Sequence, residues 1–128
     1  MDDPRFLDAV RAAVSNGWRV SRPGGGPWVG VRRSDSKIPS QGWKLHVSAT
    51  VGSAAEVLER TLPVLVAEGV AFKLAASPEV LAALNQGEGG LEQAGKFLTA
   101  YAADDEQAVR LAVALDEATR GLRGPRVL

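Results

Sequence analysis

In two short segments of this sequence, large apolar side chains recur at every second residue with basic residues between them. The segments are Trp43-Lys44-Leu45-His46-Val47 and Val70-Ala71-Phe72-Lys73-Leu74-Ala75. Because successive side chains of a β-strand point to opposite faces of a sheet, each segment predicts a strand with one apolar and one basic face. If the two strands are neighbours, Lys44, His46 and Lys73 converge on one face.

The other periodic segments complete an order of helix, three strands, helix, strand, helix, strand and helix. We predict strands at residues 18–20, 28–32, 43–48, 70–75 and 96–101. This order predicts one α+β domain over residues 1–128, in which a mixed or antiparallel sheet of about five strands is flanked by helices. The core face is expected to hold Trp43, Leu45, Val47, Val70, Phe72 and Leu74.

Three local features of the sequence lead to more detailed expectations. Ser53-x-x-Glu56 has the capping-box pattern of a helix start, and Pro63 should kink or restart that helix. Alternation along the fifth strand puts one set of side chains, Lys96, Leu98 and Ala100, opposite another, Phe97, Thr99 and Tyr101.

Composition removes several classes of function. The 128 residues are 45% hydrophobic, contain no cysteine and one histidine, and carry a net charge of zero. Thiolate chemistry and multi-histidine metal sites are therefore excluded, and a broad nucleic-acid or membrane surface is disfavoured. The acidic N-terminus is unlike a signal peptide, and no apolar run is long enough for a membrane span. We expect a cytoplasmic protein whose chemistry needs no metal or cofactor.

Lysine is scarce, and its placement is unusual. The chain has 15 lysine and arginine residues, of which only four are lysines, and three of those, Lys44, Lys73 and Lys96, lie in or beside strand-like runs. Three potentially cationic groups on one face, Lys44, His46 and Lys73, without interleaved carboxylates repel one another unless an anion lies between them, and phosphate is the obvious anion. The alanines beside Lys73 leave room for such a ligand.

A purely structural interpretation of the same residues stays open at this point. Lysines on a solvated sheet face are ordinary, and a single strand histidine is commonly a surface or core residue. Lys96 follows Gly95 at a strand edge, and Tyr101 fits core packing with a solvated hydroxyl. The three tryptophans, Trp18, Trp28 and Trp43, are most simply core residues.

Several separated motifs, in order along the chain, resemble one known family. They are Trp43-Lys44-Leu45-His46-Val47-Ser48-Ala49-Thr50, Val64 through Lys73, Gly95-Lys96-Phe97, and Thr119 through Arg126. Together they resemble the N-terminal lyase domain of class III and class IV lanthipeptide synthetases, which is related to the bacterial effector phosphothreonine lyases. The resemblance implies a phosphothreonine-lyase-like fold, and kinase and cyclase domains elsewhere in the full synthetase.

The resemblance also implies a reaction. The family β-eliminates phosphate from phosphoserine or phosphothreonine in a precursor peptide, giving dehydroalanine or dehydrobutyrine. Carried over by motif, Lys73 is similar to the general base that removes the Cα proton, and His46 to the general acid that protonates the leaving phosphate. Lys44 would stabilise the enolate-like charge on the neighbouring carbonyl.

The sequence departs from the family pattern at the phosphate-binding residues: the resemblance implies arginines in the loop before Gly95-Lys96-Phe97, whereas this loop contains Glu88 and no arginine. The remaining candidates are Lys96, Tyr101, Arg32, Arg33, Arg123 and Arg126. A non-catalytic phosphopeptide-binding module is the alternative, since it would need the cations but neither an acid nor a base. Phosphatase activity is weaker still, because no nucleophile or metal site supports it.

Overall fold

The computed structural model describes residues 3–36, 42–88, 90 and 96–124. Within these ranges, four helices and five strands appear in the predicted order, together with a short 3₁₀ turn at Pro23–Gly25. The helices are α1 (Arg5–Ala13), α2 (Ala54–Glu68), α3 (Pro78–Asn85) and α4 (Asp105–Ala118). The strands are β1 (Trp18–Ser21), β2 (Trp28–Arg33), β3 (Trp43–Ser48), β4 (Ala71–Ala75) and β5 (Lys96–Ala102).

The helix boundaries follow from local signals in two cases. The Ser77 side chain caps α3 by accepting a hydrogen bond from the Val80 backbone N–H, and Asp104 caps α4 in the same way. Among the described residues, no helix is both long and apolar enough to cross a bilayer.

Helix α2 differs from its prediction at two points. The Ser53 hydroxyl hydrogen-bonds with Thr50 instead of capping the helix, so the predicted capping box is wrong. The Glu56 carboxylate pairs with Arg60 one turn later. Pro63 lies inside one continuous helix, which it does not split.

The five strands form one sheet in the order β1-β2-β4-β5-β3, and every neighbouring pair is antiparallel. Strands β3 and β4 are not neighbours, because β5 runs between them. Large apolar side chains on one face of the sheet join residues from all four helices in a single core. The predicted α+β class is confirmed, with a wholly antiparallel sheet.

A β-bulge in β5 overturns the predicted face of Lys96. Val47 pairs with Leu98, but Ser48 pairs with Lys96, so β5 has one extra residue at Phe97. Phe97 and Leu98 are both fully buried, and the Phe97 ring meets Phe6 of α1 with centroids 5.1 Å apart. The extra residue therefore turns Lys96 to the face opposite the core, the side that alternation assigned to Thr99.

The prediction that Trp43 lies in the core is also wrong. Trp43 begins the edge strand β3 and remains 54% exposed, with its indole N–H donating to the Asp105 carboxylate at 2.5 Å. Trp18 and Trp28 are half-buried against the core. Leu45 and Val47 of the same strand are buried as expected.

Candidate functional site

The sheet register brings the basic side chains to one small cavity of about 160 Å³. On the face opposite the core, Thr99 at the middle of β5 pairs with His46 on one side and Lys73 on the other. One step along, Tyr101 pairs with Lys44 in the same manner. The cavity is lined by Lys44, His46, Lys73, Lys96, Thr99 and Tyr101.

The size of the cavity limits what it can hold. Pockets for drug-sized ligands occupy roughly 300–1,000 Å³, about twice this volume or more. A single phosphorylated side chain fits better than a whole ligand of that class. Because the cavity opens on a sheet face, the rest of a peptide has room to lie outside it.

Lys73 is held in surroundings that disfavour its charged form. Burial, followed by the positive charges of Lys44 and Lys96, lowers the pKa of Lys73 below its ordinary value of 10.5. The Trp28 ring, with its centroid 4.8 Å from Nζ of Lys73, acts in the opposite direction, because the face of an aromatic ring attracts a cation. An amine in this setting loses its proton more readily than an exposed lysine does.

His46 is the second titratable group on this face. Burial lowers its pKa below 6.5, and the charges of Lys96, Lys73 and Lys44 lower it further. Nδ1 of the ring lies 3.0 Å from the Thr99 hydroxyl oxygen. With Nδ1 engaged there, Nε2 is the ring nitrogen left to meet a ligand.

The remaining predicted residues divide into two groups. Lys96 and Tyr101 line the cavity, and burial raises the pKa of the Tyr101 hydroxyl, which keeps it protonated. The described arginines lie elsewhere: Arg32 donates to the Ser36 carbonyl at 2.5 Å, and Arg33 contacts Asp35 at 3.4 Å.

The two C-terminal arginine predictions have different outcomes. Arg123 lines a separate hollow with Thr50, Ser53 and Glu56. Arg126 falls outside the described residues. Among the described candidates, Lys96 and Tyr101 are therefore the ones that reach the basic cavity.

Sequence reasoning gave no role to two residues that belong to this site. Thr99 was placed on the same face as Tyr101, but its contact with His46 depends on β5 lying beside β3. Trp28 was interpreted as a core residue, whereas its pairing with Ala75 places its ring next to Lys73. Residue spacing within one strand could reveal neither contact.

Two further hollows among the described residues are lined by different chemistry. Each has a volume of about 470 Å³, and one lies beside Arg123 and the other between Trp43, Val109 and Ala112. Among the described residues, no group of three histidine, aspartate or glutamate side chains could hold a metal ion. The basic cavity is distinguished by four cationic or titratable nitrogen groups around one space.

Comparison with known proteins gives consistent relatives. Residues 6–128 match the family described as RamC, N-terminal domain. The chain is 38% identical over 120 residues to a probable SapB synthase of Streptomyces coelicolor, covering 94% of this chain. It spans only 13% of the length of that relative.

Solved structures share the fold at low sequence identity. The phosphothreonine lyase OspF of Shigella flexneri has a TM-score of 0.63 at 13% identity, covering 93% of this chain and 64% of the effector. The virulence protein SpvC of Salmonella has a TM-score of 0.60 at 16% identity, covering 93% of this chain and 61% of that one. The predicted family resemblance and lyase-like fold are thus confirmed.

Proposed function

The chain belongs to the RamC N-terminal domain family, and from that premise we propose that it is the lyase domain of a lanthipeptide synthetase. It β-eliminates phosphate from phosphoserine or phosphothreonine of a precursor peptide. The observation that carries this proposal is the cavity in which Lys44, His46 and Lys73 meet around space for one phosphorylated side chain.

Proton removal is the role of Lys73. Its lowered pKa makes the neutral amine more accessible near neutral pH than it is for an exposed lysine. Nζ takes the Cα proton of the phosphorylated residue, and the electrons of the C–H bond form the Cα=Cβ double bond. Proton removal runs ahead of cleavage of the Cβ–O bond, so negative charge develops at Cα and its carbonyl before that bond breaks and its electron pair leaves with the phosphate.

Protonation of the leaving group is the role of His46. Burial and the charges of Lys96, Lys73 and Lys44 lower its pKa, which favours the neutral ring. A bound phosphate brings negative charge next to the ring and thereby raises the pKa, so that substrate binding itself charges the acid. Nε2 then donates its proton to the departing phosphate oxygen.

Two further cations complete the site. Lys44, one register step from His46 on β3, stabilises the negative charge that develops on the carbonyl next to Cα. Lys96, turned toward the cavity by the bulge in β5, binds the phosphate, with Tyr101 as a hydroxyl donor. The negative charge of a bound phosphate favours protonation of Lys73. The positive charges of Lys96 and Lys44 oppose that protonation.

The test is intact-mass analysis of a phosphoserine peptide incubated with the domain. Loss of the elements of phosphoric acid is expected for the native chain. Lys73→Arg keeps the positive charge but holds its proton at all working pH values, so the rate should fall about 10²- to 10⁴-fold. Lys44→Arg is the matched control, because it makes the same lysine-to-arginine change in the site and leaves the base, Lys73, in place.

Two other results would contradict the proposal. Release of phosphate with uptake of water, leaving serine, would mean hydrolysis and not elimination. Peptide binding without any change of mass, in both the native chain and Lys73→Arg, would favour the phosphopeptide-binding module. The affinity of each variant for the peptide separates a lost base from a lost binding site.

The proposed partners follow from the same family membership. The substrate is a phosphorylated precursor peptide, and kinase and cyclase domains of the full synthetase act on the same peptide. We propose that the elimination takes place in the cytoplasm. The proposed step uses only side chains of this chain and the phosphate of the substrate.

A further inference from the structure

We infer that Thr99 is a positioning residue that holds the Nδ1–H form of the His46 ring, so that every proton exchanged with substrate passes through Nε2. The role in elimination rests on the proposed function of His46. The hydrogen bond itself does not, and it can be tested without any activity.

The geometry of the contact is fixed from both sides. The Thr99 hydroxyl oxygen lies 3.0 Å from Nδ1 of His46, and Thr99 is only 1% exposed. Its strand, β5, is paired with β4 and β3 at this point, so neither residue can shift along its strand without breaking a ladder. A β-branched side chain such as threonine also has few χ1 rotamers, which keeps the hydroxyl in place.

The Thr99 hydroxyl gives Nδ1 its hydrogen-bond partner, and the charges around the ring set the direction of that hydrogen bond. A neutral imidazole has one N–H donor and one acceptor nitrogen. Lys44, Lys73 and Lys96 surround the same cavity, and their ammonium groups favour a lone pair facing them. Nε2 is the nitrogen available to them, so the neutral ring keeps its hydrogen on Nδ1 and donates it to Thr99.

A hydroxyl differs in one respect from the carboxylates that commonly orient a catalytic histidine. A carboxylate at Nδ1 would add negative charge and make the ring more basic, whereas a hydroxyl orients the ring without changing the charge of the site. The basicity of His46 is then set by the lysines and by the bound phosphate. Thr99 therefore orients the His46 ring, and the bound phosphate raises the pKa of that ring so that it becomes protonated.

Nuclear magnetic resonance can read this arrangement directly, because the chain has one histidine. With ¹⁵N-labelled histidine at a pH above its pKa, we expect the Nδ1–H form in the native chain and in Thr99→Ser. Thr99→Val is nearly isosteric but lacks the oxygen, and it should shift the ring toward the Nε2–H form. Thr99→Ala replaces it if the valine variant does not fold.

The outcomes discriminate between the possibilities. An Nε2–H ring in the native chain, or an unchanged ring in both Thr99→Val and Thr99→Ala, would overturn the inference. In the elimination assay, Thr99→Val should lose about 10- to 100-fold in kcat with little change in KM, and Thr99→Ser should retain activity. Full activity in a variant whose tautomer has changed would also overturn the positioning role. An inactive native chain would refute the proposed function, whereas the tautomer result would stand.

Discussion

Replacing Lys96 by methionine should make the protein more stable and bind phosphate less well. Methionine keeps a long apolar side chain but removes one of three ammonium groups around the cavity. In the absence of an anion those groups repel one another, so the charge that serves binding opposes folding. A change that moves stability and affinity in opposite directions is difficult to explain by general damage to the structure.

The size of the stabilising effect follows from the cavity. The wall atoms lie outside the cavity volume of about 160 Å³, so charged groups on opposite walls are roughly 10 Å apart. Two unit charges at about 10 Å repel by about 0.4 kcal/mol in water and about 1.7 kcal/mol at an effective dielectric constant of 20. Because the cavity is open to solvent and salt, the lower figure applies. With Lys44 and Lys73 as partners, Lys96→Met should gain about 1 kcal/mol.

The loss of affinity is expected to be larger. A hydrogen bond between charged groups contributes about 1.5–3 kcal/mol, which corresponds to about 10- to 150-fold weaker phosphate binding. Urea denaturation in phosphate-free buffer gives the stability, and calorimetric titration with inorganic phosphate gives the affinity without turnover. Lys96→Arg, which keeps the charge, should differ little in either measurement.

The opposite result would refute this reasoning. If Lys96→Met were less stable than both the native chain and Lys96→Arg, the ammonium groups would not be repelling one another. If it retained the phosphate affinity of the native chain, the bulge would not be directing Lys96 to the ligand.

Three further predictions concern stability. Trp43→Ala should lower the free energy of unfolding by only about 1–2 kcal/mol in urea denaturation, because Trp43 is 54% exposed. Phe72 is fully buried, so Phe72→Ala should lower it by about 3–5 kcal/mol. Equal losses in the two variants would place Trp43 in the core. The lowered pKa of His46 means that the folded chain binds a proton less readily than the unfolded chain, so phosphate-free protein should lose stability as the pH falls below 6.5. His46→Gln should reduce the dependence of stability on pH below 6.5. An unchanged dependence would mean that other titratable groups cause the loss of stability. Gly69 ends α2 with φ +68°, so Gly69→Ala should lower the free energy of unfolding by about 1–2 kcal/mol, and no loss in thermal or urea melts would contradict the strain argument.

The order and type of the elements could be predicted from the sequence because each has a clear period. The alternation of residues 43–48 and 70–75 fixes which side chains share a face, and capping residues such as Ser77 and Asp104 locate two helix starts. The same alternation separates Lys44, His46 and Lys73 from the core. The structure brings these three together, and their chemical roles stay predictions.

The errors came from contacts that depend on strand order and packing. Trp43 has the spacing of a core residue, but it lies at the end of an edge strand that the helices cover incompletely. Ser53 has the spacing of a cap, but Thr50 competes for its hydroxyl. Thr99 and Trp28 contact His46 and Lys73 from other strands, so no pattern within one strand could identify them.

The extra residue in β5 makes the length of this strand as important as its composition. A regular strand that kept Phe97 but lacked the bulge would place Lys96 on the hydrophobic side with Leu98, while leaving Thr99 and Tyr101 in place. The aromatic contact of Phe97 with Phe6 keeps the extra residue on the hydrophobic side. The orientation of Lys96 is therefore set by this local irregularity of the strand pairing and not by its spacing from Thr99, so a homologous sequence must be aligned across this point with the additional residue retained.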